Sequence, residues 1–215
     1  SLIMFNMVFL KIVLNFLVSF IVVVAVMPKA IRYLKKLKFG QVEREEGLQS
    51  HKAKGGTPTM GGTVFILCAI IVVYILNMTS LKNPYIHLLT FAFLGFGLVG
   101  FIDDYLIVVR KTNDGLKPLY KYALQSVVAI AFYILAKVFI PQFDTAISIP
   151  LLHIEVDIGW FYPILVYFMF TAGSNAVNLT DGLDGLATGL SMIAISVFVI
   201  FAIMNKDYDI AIYAM

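Results

Sequence analysis

Six stretches of this chain are too long and too apolar for a protein of its size to hide from water. They are Met7–Met27, Gly62–Met78, Ile86–Ile102, Leu124–Ile140, Trp160–Thr171 extended towards Asn175, and Leu186–Met204. A helix needs about 20 predominantly apolar residues to cross the hydrocarbon core of a bilayer. Within the 215 residues 60% are apolar and 13% charged, well away from the soluble balance. Lipid has to cover what a soluble core cannot. The expected fold is an all-α polytopic membrane protein with six complete transmembrane helices, and Ile210–Met215 reads as the start of a seventh. All of it forms one integral-membrane domain, 1–215, and the stop inside apolar sequence at Met215 reads as the front part of a longer protein. The first block lacks a basic leader and a small-residue exit, so it is not read as a cleavable signal. The single Cys68 lies within the second block and is read as a packing residue.

Charge orients the helices. The loop after the first block carries Lys29, Arg32, Lys35, Lys36, Lys38, Arg44, Lys52 and Lys54, and the loop after the third carries Arg110, Lys111, Lys117 and Lys121. The intervening loops hold one apiece, Lys82 and, at a helix end, Lys137. By the positive-inside rule the basic loops are cytoplasmic and the amino terminus is outside. Counting crossings places Ser174–Gly185 on the cytoplasmic side too, although it holds no Lys or Arg. The basic residues are read as topology and anionic-lipid contacts, with no nucleic acid as partner. Ile31, Leu34 and Leu37 recur at helical spacing among cations, so the first helix is expected to run on along the membrane surface. In the outer segment Gln142–Asp157, alternation over Ile147–Ile149 and His153–Asp157, with Pro150 between, predicts a short β-hairpin.

One motif misleads. Gly95-Phe96-Gly97-Leu98-Val99-Gly100 matches the dinucleotide fingerprint, but it sits inside an apolar helix and follows no strand. Small residues that let helices approach explain it better. Asp103-Asp104 is different, being a carboxylate pair that ends the same helix at the cytoplasmic boundary with apolar Tyr105–Val109 beyond. Acids oppose the dipole at a helix carboxyl end, and ionisable groups at membrane depth are functional candidates. Such a pair suits Mg²⁺, which takes one or two carboxylates and completes its shell with phosphate oxygens.

The run Asn175 to Gly185 places Asn175 and Asn178 on one helical face and repeats the spacing with Asp181 and Asp184 beyond Thr180. A helix cap before Leu186 would need only one of these groups. Lys52 to Gly62 offers lysines, hydroxyls and glycines, as a phosphate site or as a flexible membrane-entry loop. Lys121 either reaches a phosphate or snorkels. His51, His87 and His153 are scattered over both faces, which argues against a histidine metal site.

Gly56-Thr57-Pro58-Thr59-Met60-Gly61-Gly62, Gly97 to Tyr105, and Asn175 to Gly189 together resemble the signatures of the polyprenyl-phosphate hexosamine-1-phosphate transferases, in the same order along the chain. The Thr-Pro-Thr-Met run leans towards the phospho-N-acetylmuramoyl-pentapeptide transferase branch. The resemblance implies transfer of phospho-MurNAc-pentapeptide from UDP-MurNAc-pentapeptide to undecaprenyl phosphate. The products are lipid I and UMP, an early step of peptidoglycan and cell-wall synthesis at the bacterial inner membrane. It implies Mg²⁺ as cofactor, with Asp103 and Asp104 as ligands, and a homodimer as a possible assembly. Carried over by motif, Asp103, Asp104 and Asp181 are the catalytic acids, and Asp103 is either the base towards the lipid phosphate or a nucleophile. Lys54, Thr59, Lys121, Asn175, Asn178, Leu183 and Asp184 line the substrate, the last two near the uracil. Such enzymes have about ten membrane helices, each of about 20 residues, and their later part brings a further essential acid and a histidine-rich loop. This chain contains neither. The alternatives are a sister transferase using another UDP-N-acetylhexosamine, or a lipid flippase or transporter. A transporter places its ionisable groups near the bilayer midplane, whereas here they gather at one face.

Overall fold

The computed structural model describes residues 2–36, 60–110, 115–141, 143–149, 152, 154–181, 185–208 and 210–211. Each of the six apolar blocks is an α-helix: α1 (Leu2–Lys36), α2 (Gly61–Leu76), α3 (Pro84–Arg110), α4 (Pro118–Phe139), α5 (Phe161–Thr180) and α6 (Leu186–Met204). Four of them, α1, α3, α4 and α6, are long and apolar enough to cross a membrane by length and composition. The 16 residues of α2 make a shorter apolar helix. The 20 residues of α5 grow polar towards their end, where Ser174, Asn175, Asn178 and Thr180 lie. Residues 208, 210 and 211 are helical where the seventh block was expected.

Several helices overrun their apolar blocks. α3 continues through Asp103 and Asp104 to Arg110, and α5 continues past Thr171 to Thr180. With 27 residues α3 is about 40 Å long, beyond the ~30 Å hydrocarbon core. Backbone groups near a membrane must be satisfied within the segment, so the helix does not stop where side-chain polarity rises. The overrun carries the polar side chains of α3 and α5 past the apolar stretch. α1 likewise runs unbroken from Leu2 to Lys36, through Pro28, which withholds one backbone donor from the ladder.

Neighbouring helices pack in sequence: α1 on α2, α2 on α3, α3 on α4, α4 on α5, and α5 on α6. The set is drawn together where Ile12 of α1 joins Val199 and Ala202 of α6 and Ala211. Outward faces stay bare. Only 6% of the most apolar stretch of α6 is buried, and Ile193, Phe198, Phe201 and Met204 are exposed. A surface so continuously apolar needs an apolar medium around it, and this is a membrane protein.

Within these apolar helices the buried polar groups are paired. Asn77 Nδ2 donates to Asn15 Oδ1 at 2.6 Å and Asn15 Nδ2 returns a bond to Asn77 Oδ1 at 3.3 Å. Each amide also donates to the carbonyl four residues back, Val73 and Lys11 respectively. The reciprocal clamp fixes α1 against the end of α2, since neither amide has water to fall back on. His87 is similarly occupied, bridging the Tyr74 hydroxyl and the Leu81 carbonyl, which is a structural role.

Two of the three fingerprint-like glycines are packing residues. A Cβ on Gly95 would stand 2.6 Å from Val128 Cγ1 of α4, and one on Gly97 would stand 2.8 Å from Ile66 Cδ1 of α2, while Gly100 faces open space. The hairpin is present as β1 (Ala146–Ile149) and β2 (Ile154–Asp157), antiparallel, with Ala146 opposite Asp157 and Ile149 opposite Ile154. The Thr145 hydroxyl donates to Asp157 Oδ1 and the Gly159 N–H donates to the same oxygen at 2.9 Å. These two bonds, Thr145 first, hold the Asp157 carboxyl below the usual carboxylate range.

Two outcomes follow from this packing. Gly95→Ala should lower thermal stability by about 1–3 kcal/mol through overpacking against Val128. Gly100→Ala should instead be neutral or stabilise by up to about 1 kcal/mol, so a thermal-shift comparison separates packing from propensity. For the hairpin, a depressed folded pKa contributes stability that is present above the unfolded value and lost as pH falls through the folded one. Thr145→Val should therefore raise the Asp157 pKa and move acid opening of the hairpin to higher pH, read from carboxyl ¹³C shifts.

Candidate functional site

Asp103 and Asp104 stand about 100° apart around one helix, and this separation organises the site. The sequence reading had the pair ending the third helix. In the structure they lie inside it, with α3 running on to Arg110, so the unfavourable placement at a carboxyl terminus does not arise. Each acid instead faces the start of a different neighbouring helix. Asp103 Oδ1 accepts the Leu116 N–H at 2.7 Å and Asp103 Oδ2 accepts Lys121 Nζ at 2.9 Å. Leu116 precedes α4 and Lys121 lies in its first turn. Asp104 Oδ2 accepts the Met60 N–H at 3.1 Å, at the entrance of α2.

The Met60 arrangement follows from helix electrostatics. The first amides of a helix have no intrahelical acceptor, and the helix dipole makes that end favourable to negative charge. α2 has no side-chain cap of its own, because its capping residue is Met60, held at φ 70. The left-handed region costs an L side chain about 1–2 kcal/mol, and a hydrogen bond to a charged group contributes about 1.5–3 kcal/mol. The Asp104 carboxylate thus supplies from α3 the cap that α2 lacks. Asp103 and Lys121 form an ion pair with side chains 19% and 18% exposed, dry enough for the charges to need one another.

Gly115 belongs to the site as well. A Cβ there would overlap Asp103 Oδ1 and come within 3.0 Å of the Asp103 carbonyl oxygen. Its missing side chain lets the α4 entrance close over the carboxylate. Neither Gly115 nor Leu116 stood out in the sequence. Their role lies in a close backbone approach and a main-chain amide, which only the fold brings to Asp103.

The pair opens on a cleft of about 750 Å³ between the ends of α3, α4 and α5. Arg110, Lys117, Lys121 and Asp103 line it together with Asn175 and Asn178. Ile107, Leu116, Pro118, Tyr122 and Leu179 give it an apolar side. Three cations against one already paired acid make it suited to an anion. Asn175 and Asn178, expected on one face, do share it.

Asp181 follows the last turn of α5, is exposed, and does not line this cleft. It is near enough to Asp104 for the two to repel, as are Asp103 and Asp104. Gly185, at φ 81, starts α6 and brings no side-chain cap of its own. Lys54, Thr59, Leu183 and Asp184 lie outside the described residues. Among the described residues no three of His, Cys, Asp and Glu converge on a point where a metal ion would sit.

Behind Asn175 stands a group that the sequence did not single out. Gln125 of α4 is only 1% exposed. Its Oε1 accepts Asn175 Nδ2 at 2.9 Å and its Nε2 donates to Ser174 Oγ at 3.3 Å.

A bundle of apolar helices with a cationic cleft at one end defines a membrane protein. The chain belongs to the family described as glycosyl transferase family 4, which matches residues 85–215. It is 45% identical over 205 residues to the phospho-N-acetylmuramoyl-pentapeptide-transferase of Bacillus pumilus and to that of Bacillus subtilis, covering 95% of this chain and 63% of each relative. It is 49% identical over 200 residues to the enzyme of the same name from Staphylococcus saprophyticus, covering 92% of this chain and 60% of the relative. The chain thus spans a little under two thirds of the length of these relatives.

The Asp103–Lys121 pair yields a quantitative expectation. In a double-mutant cycle of Asp103→Asn and Lys121→Met, followed by thermal unfolding, the coupling should be about 1–3 kcal/mol. Additivity within about 0.5 kcal/mol would mean that solvent screens the pair.

Proposed function

We propose that the protein carrying this chain transfers phospho-MurNAc-pentapeptide from UDP-MurNAc-pentapeptide to undecaprenyl phosphate, releasing UMP and forming lipid I. The observation that carries the reading is the cleft itself. Arg110, Lys117 and Lys121 surround Asp103 at the point where α3, α4 and α5 leave their apolar stretches. A phosphate-bearing lipid and a soluble nucleotide can meet only at such a boundary. The names of the relatives, each about 45–49% identical, point to the same chemistry.

In this reading the basic ends of α1 (Lys35, Lys36) and α3 (Arg110) face the cytoplasm together with the cleft, and the amino terminus and hairpin face outwards. The protein sits in the bacterial inner membrane as a single integral-membrane domain.

The reaction forms one phosphorus–oxygen bond and breaks another. An oxygen of the lipid phosphate attacks the β-phosphorus of the UDP-sugar, and the bridging oxygen leaves with UMP. Such transfers depend on positioning and charge stabilisation more than on covalent help. Arg110 and Lys117 neutralise the diphosphate, and Lys121 reaches it by parting from Asp103. The carboxylate so released takes the proton of the lipid phosphate, or attacks phosphorus itself, and the Leu116 N–H holds it towards the cleft. Asp104 caps the α2 entrance, and Lys54 and Thr59 are assigned to the substrate by the family motif. Asn178, Asp181, Leu183 and Asp184 complete the sugar and nucleotide side.

Magnesium suits this donor set as a partner of the diphosphate, since it takes only one or two carboxylates when phosphate oxygens complete its shell. In this reading Asp103 and Asp104 would hold it, with the diphosphate supplying the remaining oxygens. When bound it draws negative charge from the phosphates.

The test is UMP release by purified protein supplied with undecaprenyl phosphate, Mg²⁺ and UDP-MurNAc-pentapeptide. Asp103→Asn should lower the rate by about 10²–10⁴-fold, and EDTA should suppress it reversibly. Release from UDP-GlcNAc alone would move the protein to the sister branch, and lipid movement without UMP release would favour the flippase reading.

A further inference from the structure

We infer that Gln125 is a positioning residue that turns Asn175 into a hydrogen-bond acceptor, reading an N–H or O–H donor on the uncharged part of the nucleotide-sugar. The inference rests on the proposed reaction and extends it to a residue outside the cleft.

The assignment of atoms is forced. A backbone carbonyl only accepts, so the Asn175 atom 2.7 Å from the Thr171 carbonyl oxygen is Nδ2. That same nitrogen lies 2.9 Å from Gln125, whose facing atom must then be the acceptor Oε1. This leaves Gln125 Nε2 towards Ser174 Oγ. An amide nitrogen has two hydrogens, and both on Asn175 are now spent. What Asn175 offers to the cleft it lines is Oδ1.

That acceptor differs from the charged groups around it. Arg110, Lys117 and Lys121 are donors only, and Asp103 is already engaged by Lys121 and the Leu116 amide. An acceptor repels phosphate oxygens. Asn175 therefore selects against an anion at its own position and favours a hydroxyl, an acetamido N–H or a base imide. Gln125 enforces this from 1% exposure, where an unpaired amide is costly to leave. Without it the Thr171 carbonyl still holds Nδ2, but the second Nδ2 hydrogen loses its acceptor, and the cleft meets a mixture of donor and acceptor.

The test measures KM and kcat for UDP-MurNAc-pentapeptide, and UMP affinity by calorimetry, in Gln125→Met, Asn175→Ala, their double variant and Gln125→Glu. Gln125→Met and Asn175→Ala should each raise KM about five- to tenfold with kcat within about twofold of wild type. The double variant should be no worse than Asn175→Ala alone, because Gln125 acts through Asn175. Gln125→Glu should keep a near wild-type KM, since a neutral carboxyl accepts from Asn175 and donates to Ser174. If UMP affinity falls along with KM, the donor is on the nucleoside; if only KM changes, it is on the sugar.

Multiplying effects in the double variant, or a Gln125→Glu as impaired as Gln125→Met, would overturn the positioning role. Should Gln125→Met fail to fold, a Gln125→Glu as impaired as Asn175→Ala overturns it equally. Wild-type protein that neither binds UMP nor releases it overturns the reaction itself, and with it this inference.

Discussion

Two carboxylates side by side in one helix repel each other, and the cytoplasmic-facing end proposed for this bundle is built around relieving that repulsion. Asp103 and Asp104 diverge from α3 and take backbone N–H groups from two helix entrances, Leu116 before α4 and Met60 before α2. Each bond supplies what the other side lacks. The carboxylates gain donors and partial positive charge, and α2 gains a cap that its own sequence, starting at Met60-Gly61, does not contain. Lys121 then neutralises one of the two acids. The relief of one local conflict thereby ties α2 and α4 to α3, and the cleft opens on the Asp103 side.

The same economy appears elsewhere in the bundle. Helix packing in an apolar medium cannot draw on hydrophobic burial, so contact geometry and interhelical hydrogen bonds carry it. Gly95 and Gly97 let Val128 and Ile66 approach α3 from two sides. Asn15 and Asn77 lock α1 to α2, and Gln125, Ser174 and Asn175 lock α4 to α5. The second of these clamps ends in a residue that faces the cleft, so packing and recognition share one set of atoms.

Much of this was legible in the sequence because membrane burial leaves a strong signal. Apolar runs located all six helices, with Leu186–Met204 correct at both ends, and period-2 alternation located the hairpin. The packing reading of Gly95 and Gly97 followed from their lack of any preceding strand. Boundaries were harder to see where a helix carries polar side chains beyond its apolar run. Polarity ended the third block at Ile102, but backbone bonding carried α3 on to Arg110. Gly115, Leu116 and Gln125 were invisible for another reason. Their roles depend on a main-chain amide, on the absence of a Cβ, or on a partner 50 residues away in Asn175, and no local pattern marks these. Lys121, which sequence left open between snorkelling and phosphate contact, has a definite partner in Asp103.

The central claim is that the two acids serve two different helix entrances. Residue-resolved amide hydrogen exchange measures this most directly, in wild type, Asp103→Ala and Asp104→Ala. The account predicts that Asp103→Ala speeds exchange at Leu116 and leaves Met60 protected, and that Asp104→Ala does the reverse. Exchange at both amides that ignores either substitution, or that responds identically to both, would contradict it.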